Sequence, residues 1–422
     1  MEVNQNPLLM PNEKILFISY FLGVKGNCPA EWADDKLRVL ESLDQKVIII
    51  TSLQSKIKKN KNFKVYRIPS LSYSNFKYEL KIYKKNNNGR FPIILRLFYG
   101  VSLILGSLCD FLMMKFVKSL TGGYWSWFLI SLPFGIYLKI KYKLKKIFST
   151  GGPSSSHLLG STLAAIFNIK CICEHQDPII GAFIKNPRSK KLAYILDAFF
   201  TKFSSKIIFV TKEAANISRK NSLSNSHKIE NIYPGSWNFS SIKRNSDNKK
   251  NKIELLHLGT LYNSRNLDNL FIALDKLYQN NKFDRKVSVI NCGDIYLDNK
   301  STYTKRDDFK LISCKSRIEG LKEASRSNYL LLVQHKDERS KETIPYKFYD
   351  YLNLKIPIFA ITNNAELDSL VLKSGGIVAK ANSVKSISSA LKKILNNKHN
   401  YNYEQNDYLV FDIKTQLIKA LN

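Results

Sequence analysis

The segment Glu342–Leu352, ETIPYKFYDYL, lies between two apolar runs, Tyr329–Val333 (YLLLV) and Ile356–Ile361 (IPIFAI). That order reads as strand, charged loop, short helix, strand, the building unit of a parallel sheet. Thr343 is a suitable N-cap and Pro345 suits a first turn, so the sequence predicts a helix that begins at Thr343. The amides of Thr343, Ile344 and Tyr346 would then face an anion placed at the helix start. Glu342 stands just before that helix, and Asp350 lies two turns along it, roughly 10 Å away at ~1.5 Å per residue. Lys347 falls between them. Taken alone, Lys347 and Asp350 also read as an i, i+3 ion pair on a solvated helix.

Outward from this segment the same alternation continues in both directions. Apolar strands are expected at Lys14–Tyr20, Lys46–Ser52, Phe63–Pro69, within IKCICE ahead of His175, and at Lys206–Lys212. After a polar stretch without periodicity, Asn238–Lys252, the pattern restarts with IELLHLG, a helix LDNLFIALDKLYQN, KVSVINCG, RIEGLKEAS and NYLLLVQ. The fold class expected is therefore α/β, with two doubly wound Rossmann-like domains facing a cleft and ligands at the carboxyl ends of the strands. The boundaries expected are residues 1–240, a linker at 241–252, a second domain at 253–398, and a segment 399–422 that packs back on the first domain.

Composition narrows the function. Apolar residues make up 44% of the 422, enough for folded cores. The formal charge of +32 favours polyanionic partners: phosphorylated substrates, an anionic membrane surface or nucleic acid. No aromatic-basic RNA motif, zinc finger or helix-turn-helix spacing is present, so nucleic acid is not expected. Among the cysteines only Cys171 and Cys173 are close in sequence, on one face of a strand, which suits packing in a reducing, cytoplasmic setting. The first residues lack a signal-peptide pattern. Phe91–Leu120 is apolar but interrupted by Arg96, Asp110, Lys115 and Lys118. Its uncharged runs fall short of the ~20 residues that span a bilayer. Two readings stay open for it: buried helices, or a peripheral contact beside the basic run Lys139–Lys146 at the inner face of the plasma membrane.

The second half resembles the donor half of GT-B glycosyltransferases, in particular the retaining family 4-like group. Glu342, Ile344, Pro345, Lys347, Asp350, Tyr351, Leu352 and Pro357 match that group's pattern, with Asp350 replacing a glutamate. The resemblance implies that Glu342 orients the donor sugar and Asp350 holds the nucleoside ribose. It implies a diphosphate cradle from Gly259, Arg265 (at the start of the next helix), Ile344 and Lys347. Thr260 stands where many relatives carry a basic residue, which removes one phosphate contact. In the first half, STGGPSSSHLLG (Ser149–Gly160) and CEHQDP (Cys173–Pro178) match segments lining the cleft of such enzymes. By the same resemblance His175 touches the sugar near its reacting carbon, His157 lies on the helix after GGPSSS, and the loop with Gly23, Gly26 and Asn27 meets the acceptor and diphosphate. GVKGNC does not fit a dinucleotide fingerprint, so no nicotinamide cofactor is expected. With no Asp-x-Asp triplet, no metal is expected either. The implied activity is transfer of a sugar from a nucleotide-diphosphate sugar to a glycan or lipid-linked acceptor in cell-envelope polysaccharide synthesis. The alternatives are a nucleotide-sugar epimerase-like enzyme and an idle glycan-binding scaffold.

Overall fold

A computed structural model describes the chain outside residues 1–12, 25, 88–91, 117–123, 240, 243, 245–251, 281–282, 284, 315, 397 and 400–411. It divides into two compact units, Met1–Pro234 with Ile413–Asn422, and Gly235–Asp412. The division falls at Pro234, ahead of the expected boundary at residue 240, and most of the expected linker 241–252 lies outside the described residues.

The first unit is built on a seven-stranded sheet. Its strands are β1 (Ile15–Ile18), β2 (Val47–Ser52), β3 (Phe63–Ile68), β4 (Lys146–Thr150), β5 (Lys170–His175), β6 (Lys206–Phe209) and β7 (Ile229–Asn231). Their order is β3-β2-β1-β4-β5-β6-β7, and every pairing is parallel. Helices cover both faces, which is why β1 and β2 are buried along their whole length and read as unbroken apolar runs. Leu16, Ile147, Cys171, Cys173 and Ile207 pack against Leu159, Leu163 and Phe200 of the helices Ser155–Phe167 and Pro187–Phe203. The C-terminal helix Ile413–Leu421 belongs to this unit and lies on the helix Cys28–Ser42.

The second unit carries a six-stranded parallel sheet in the order β12-β10-β8-β13-β14-β15. These strands are β8 (Lys252–Leu258), β10 (Lys286–Cys292), β12 (Phe309–Ile312), β13 (Tyr329–Val333), β14 (Ile358–Thr362) and β15 (Ile377–Lys380). Two short strands, β9 (Leu261–Tyr262) and β11 (Ile295–Tyr296), pair beyond the ends of β8 and β10. Cys292 and Cys314 form a disulfide, Cα to Cα 6.0 Å, so the close cysteine pairs are not confined to Cys171 and Cys173.

Both sheets reverse their winding once, between β1 and β4 and between β8 and β13. At such a reversal the helices leave in opposite directions and open a crevice at the carboxyl ends. In the second unit that crevice depends on two glycines. Gly259 (φ +110°) follows β8 and Gly293 (φ +142°) follows β10, and a Cβ on Gly293 would fall 2.7 Å from the carbonyl carbon and oxygen of Gly259. Gly293→Ala should therefore cost about 1–3 kcal/mol from backbone strain alone, read by urea unfolding. An unfolding free energy equal to the parent's would contradict this account of the close approach.

Candidate active site

β8 and β13 pair only through Tyr329–Leu255 and Leu330–Leu256. Beyond that point the strands splay, and Leu258 N–H and Leu331 C=O would lose their partners. The hydroxyl of Tyr351 fills the gap. It accepts from Leu258 N at 2.9 Å and donates to Leu331 O at 3.2 Å. Lys347 lies one turn earlier on the same face of its helix and reaches the same strand end. Its ammonium donates to Leu258 O and to His257 Nε2, the latter at 2.8 Å. It also sits 3.2 Å from where a Cβ of Gly259 would be, so the missing side chain at Gly259 makes room for the lysine.

His257 is fully buried, and its Nδ1 is 2.7 Å from Asn291 Oδ1, whose amide donates in turn to Gly293 O. With Nε2 accepting from an ammonium, the network assigns a neutral ring protonated at Nδ1. Burial first, and the Lys347 charge second, hold its pKa well below 6.5.

The helix itself spans Lys347–Leu354, four residues later than the expected start. Thr343 instead closes a preceding 3-10 turn, Glu338–Glu342, and its carbonyl is taken by Gln334 Nε2 (2.7 Å) and Asn364 Nδ2 (3.0 Å). Asn364 also binds Ser340 O, and Thr362 Oγ1 donates to Gln334 Oε1. Side chains at the ends of β13 and β14 therefore fix the loop that carries Glu342, which is buried at the end of the turn. Ile344 is buried in the extended piece between turn and helix.

Asp350 is not a solvated surface carboxylate. It is buried, and both its oxygens accept from Arg317, Nε to Oδ2 at 3.1 Å. The guanidinium stacks near the rings of Tyr346 (4.9 Å) and Phe239 (5.1 Å). A bidentate pair of this kind fixes the carboxylate's plane while leaving lone pairs for a further donor. Arg265 departs from expectation in position. It does not open the next helix, which begins at Asp268, but pairs with Tyr262 across a tight turn at Asn263 (φ +50°), with its guanidinium 5.2 Å from the Tyr262 ring. Beside it, His335 Nδ1 lies 3.0 Å from Ser264 Oγ, and Asp337 pairs with Arg339 and Ser264. Burial, then Arg265 and Arg339, push His335 down to about 4.

The expected residues of the first unit are held differently. His175 ends β5 and His157 lies in the first turn of the helix Ser155–Phe167, their ring centroids 4.0 Å apart. Both are interior, 2% and 1% exposed. His157 bonds Ser149 Oγ (2.9 Å) and Gly151 O (2.8 Å). His175 stacks on Phe209, its Nε2 has no hydrogen-bond partner among the described residues, and burial then His157 depress its pKa well below 6.5. In the loop after β1, Gly23 (φ +73°) donates its N–H to Asp34 Oδ1 at 2.8 Å, Gly26 has φ +76°, and Asn27 caps the helix Cys28–Ser42 by accepting from Ala30 N. Asp34 is pushed up to about 7 by burial, against the opposing Gly23 bond. Among the described residues no group of three or more His, Cys, Asp or Glu could hold a metal ion.

No protein-family model matches the chain, and no curated protein matches its sequence. Solved structures do match, across nearly all of it. HepE from Anabaena, in complex with UDP and glucose, covers 97% of this chain and 99% of its own at a TM-score of 0.60 and 12% identity. The chain has the GT-B fold. Two further GT-B structures agree: sucrose-phosphate synthase from Thermosynechococcus elongatus (TM-score 0.61, 11% identity, 97% and 94% covered) and an Escherichia coli trehalose-6-phosphate protein bound with UDP-2-fluoro glucose (0.62, 11%, 97% and 97%). In this GT-B chain the sequence reading overlooked His257, Gly293, Arg317 and His335. LHLG, NCG and the position of Arg317 at a helix start carried no signal by spacing, because each acts through a strand far away in sequence.

The neutral His257 ring stabilises the fold in full above pH 6.5. As pH falls below 6.5 the unfolded chain takes up the proton first, and that stability drains away. Lys347→Met removes one of the three depressing causes, burial and Arg265 being the others. The His257 imidazole should then titrate at higher pH, followed by NMR on the full chain; an unchanged titration would contradict the Lys347–His257 contact.

Proposed function

We propose that this protein is a glycosyltransferase that moves a sugar from a nucleoside-diphosphate sugar to an acceptor hydroxyl. The observation that carries the reading is the position of the Lys347 ammonium, fixed over Gly259 at the winding reversal of the second sheet. A diphosphate seated at that strand end meets Lys347, with Arg265 on the adjoining turn. Asp350, oriented by Arg317, accepts from the ribose diol, and Glu342 accepts from sugar hydroxyls on a loop that Gln334 and Asn364 hold still. HepE and the E. coli protein are structures with UDP or a UDP-sugar, which makes uridine donors the first to try.

In the transfer the bond from the anomeric carbon to the diphosphate oxygen breaks and a bond to the acceptor oxygen forms. The developing negative charge on the leaving diphosphate is taken up by Lys347 and Arg265, groups already in place before the reaction. The acceptor's proton passes to that leaving phosphate, and the anomeric configuration is retained. The acceptor class that suits a strongly basic chain is a lipid-linked or cell-surface glycan.

Thermal shift against UDP-, GDP- and ADP-sugars tests the donor site. One nucleotide class should raise the melting temperature, and Lys347→Ala and Asp350→Ala should each lower donor affinity at least about tenfold, the loss of a charge-assisted contact. No stabilisation by any donor would overturn the reading. Conversion of a UDP-sugar to its epimer without an acceptor would replace transfer with epimerisation.

A further inference from the structure

The stretch Ile93–Leu112, helical throughout with a π turn at Ser102–Gly106, has two unlike faces. Its inner face is tied to the helix Tyr73–Asn86 and the turn before it. Leu95 packs with Leu53, Phe76 and Leu80, and the Phe98 ring meets Phe76 edge-on at 5.0 Å. Gly106 approaches the backbone of Leu71 and Tyr73 so closely that a Cβ has no room. Asp110 accepts from the Ser72 hydroxyl and from Ser74 N at 3.1 Å. The outer face carries Ile93, Ile94, Leu97, Ile104, Leu108 and Phe111, each more than half exposed. A continuous apolar face of this length is far more than scattered surface residues.

By length and composition Ile93–Leu112 is the one helix among the described residues that could cross a bilayer. That outcome would strip its inner face from the domain and expose the Asp110 carboxylate to hydrocarbon. Lying in the plane of the interface keeps every inner contact and covers the outer face. Charge identifies the lipid. Lys77, Lys81, Lys84 and Lys85 are exposed at i, i+4, i+7 and i+8 of the supporting helix, hence on one face. Lys77 Nζ lies 6.0 Å from the Tyr73 ring centroid, and the Tyr73 hydroxyl is 3.2 Å from that of Tyr99 on the apolar helix. The Tyr99 pKa is raised by its hydrogen bond to Tyr73, with Lys77 and Lys84 opposing the rise.

We propose that the outer face of Ile93–Leu112 and the lysine face of Tyr73–Asn86 form one docking surface for a membrane leaflet rich in anionic lipid. The apolar side chains enter the acyl boundary and the lysines meet the head groups. The surface is independent of the donor site and does not rest on the transferase reading.

Flotation of the full chain with phosphatidylcholine vesicles, with and without phosphatidylglycerol, tests it. The parent should float with the anionic vesicles. Leu97→Asp with Ile104→Asp should cut partition at least about tenfold, since two buried apolar side chains are lost. The four lysines changed to Gln should cut it at least about tenfold on anionic vesicles and leave binding to neutral ones unchanged. All these positions are exposed, so melting temperatures should match the parent's. A parent that stays with the soluble fraction at low salt, or an aspartate variant that floats as well as the parent, would overturn the proposal. So would a dimer in light scattering that the aspartates dissociate, since a second copy would then cover the face.

Discussion

The arrangement of the second unit turns on one helix face inserted between two diverging strands. β8 and β13 must part at the winding reversal, and parting leaves backbone groups that a buried sheet cannot leave unmet. Tyr351 supplies a hydroxyl that both accepts and donates, and Lys347, one turn away, supplies a cation to the same strand end. The residues that close the sheet are thus the ones that place a positive charge where a ligand of such a sheet binds. Gly259 and Gly293 belong to the same constraint, since side chains there would push the lysine and the neighbouring backbone away.

The fold was largely legible from the chain. Strands buried on both faces have to be apolar throughout, and β1, β2, β8, β13 and β14 were found within a residue or two for that reason. The two edge strands of the second sheet escaped. β12 (FKLI) alternates buried and exposed positions, and β15 ends in an exposed lysine, so neither carries the continuous signal. The helix start in the opening segment was misplaced because Thr343 can cap a helix or close a turn. Gln334 and Asn364, distant in the chain, claim its carbonyl and decide for the turn.

The site was legible in part, and the division is physical. The resemblance of Glu342–Leu352 to a GT-B donor segment brought out Lys347 and Asp350 as site residues, while their spacing alone read equally as an ion pair. Their partners could not be read that way: His257 lies on β8, and Arg317 opens a helix after β12. In place of the alternative, a solvated Lys347–Asp350 pair, Lys347 meets His257 and Asp350 meets Arg317 in two part-buried contacts. In the first unit local pattern pointed to His157 and His175, and folding packs both rings into an aromatic interior. Asn27 joins a loop expected to meet the acceptor, yet its side chain is spent on a helix cap.

A crystal structure of the chain with a nucleoside diphosphate bound tests the central claim most directly. The account predicts phosphate oxygens within hydrogen-bonding distance of Lys347 Nζ at the carboxyl end of β8, with the ribose hydroxyls on the Asp350 carboxylate while Arg317 stays paired to it. A nucleotide bound away from the reversal between β8 and β13, with Lys347 still turned to His257 and Leu258 O, would contradict it.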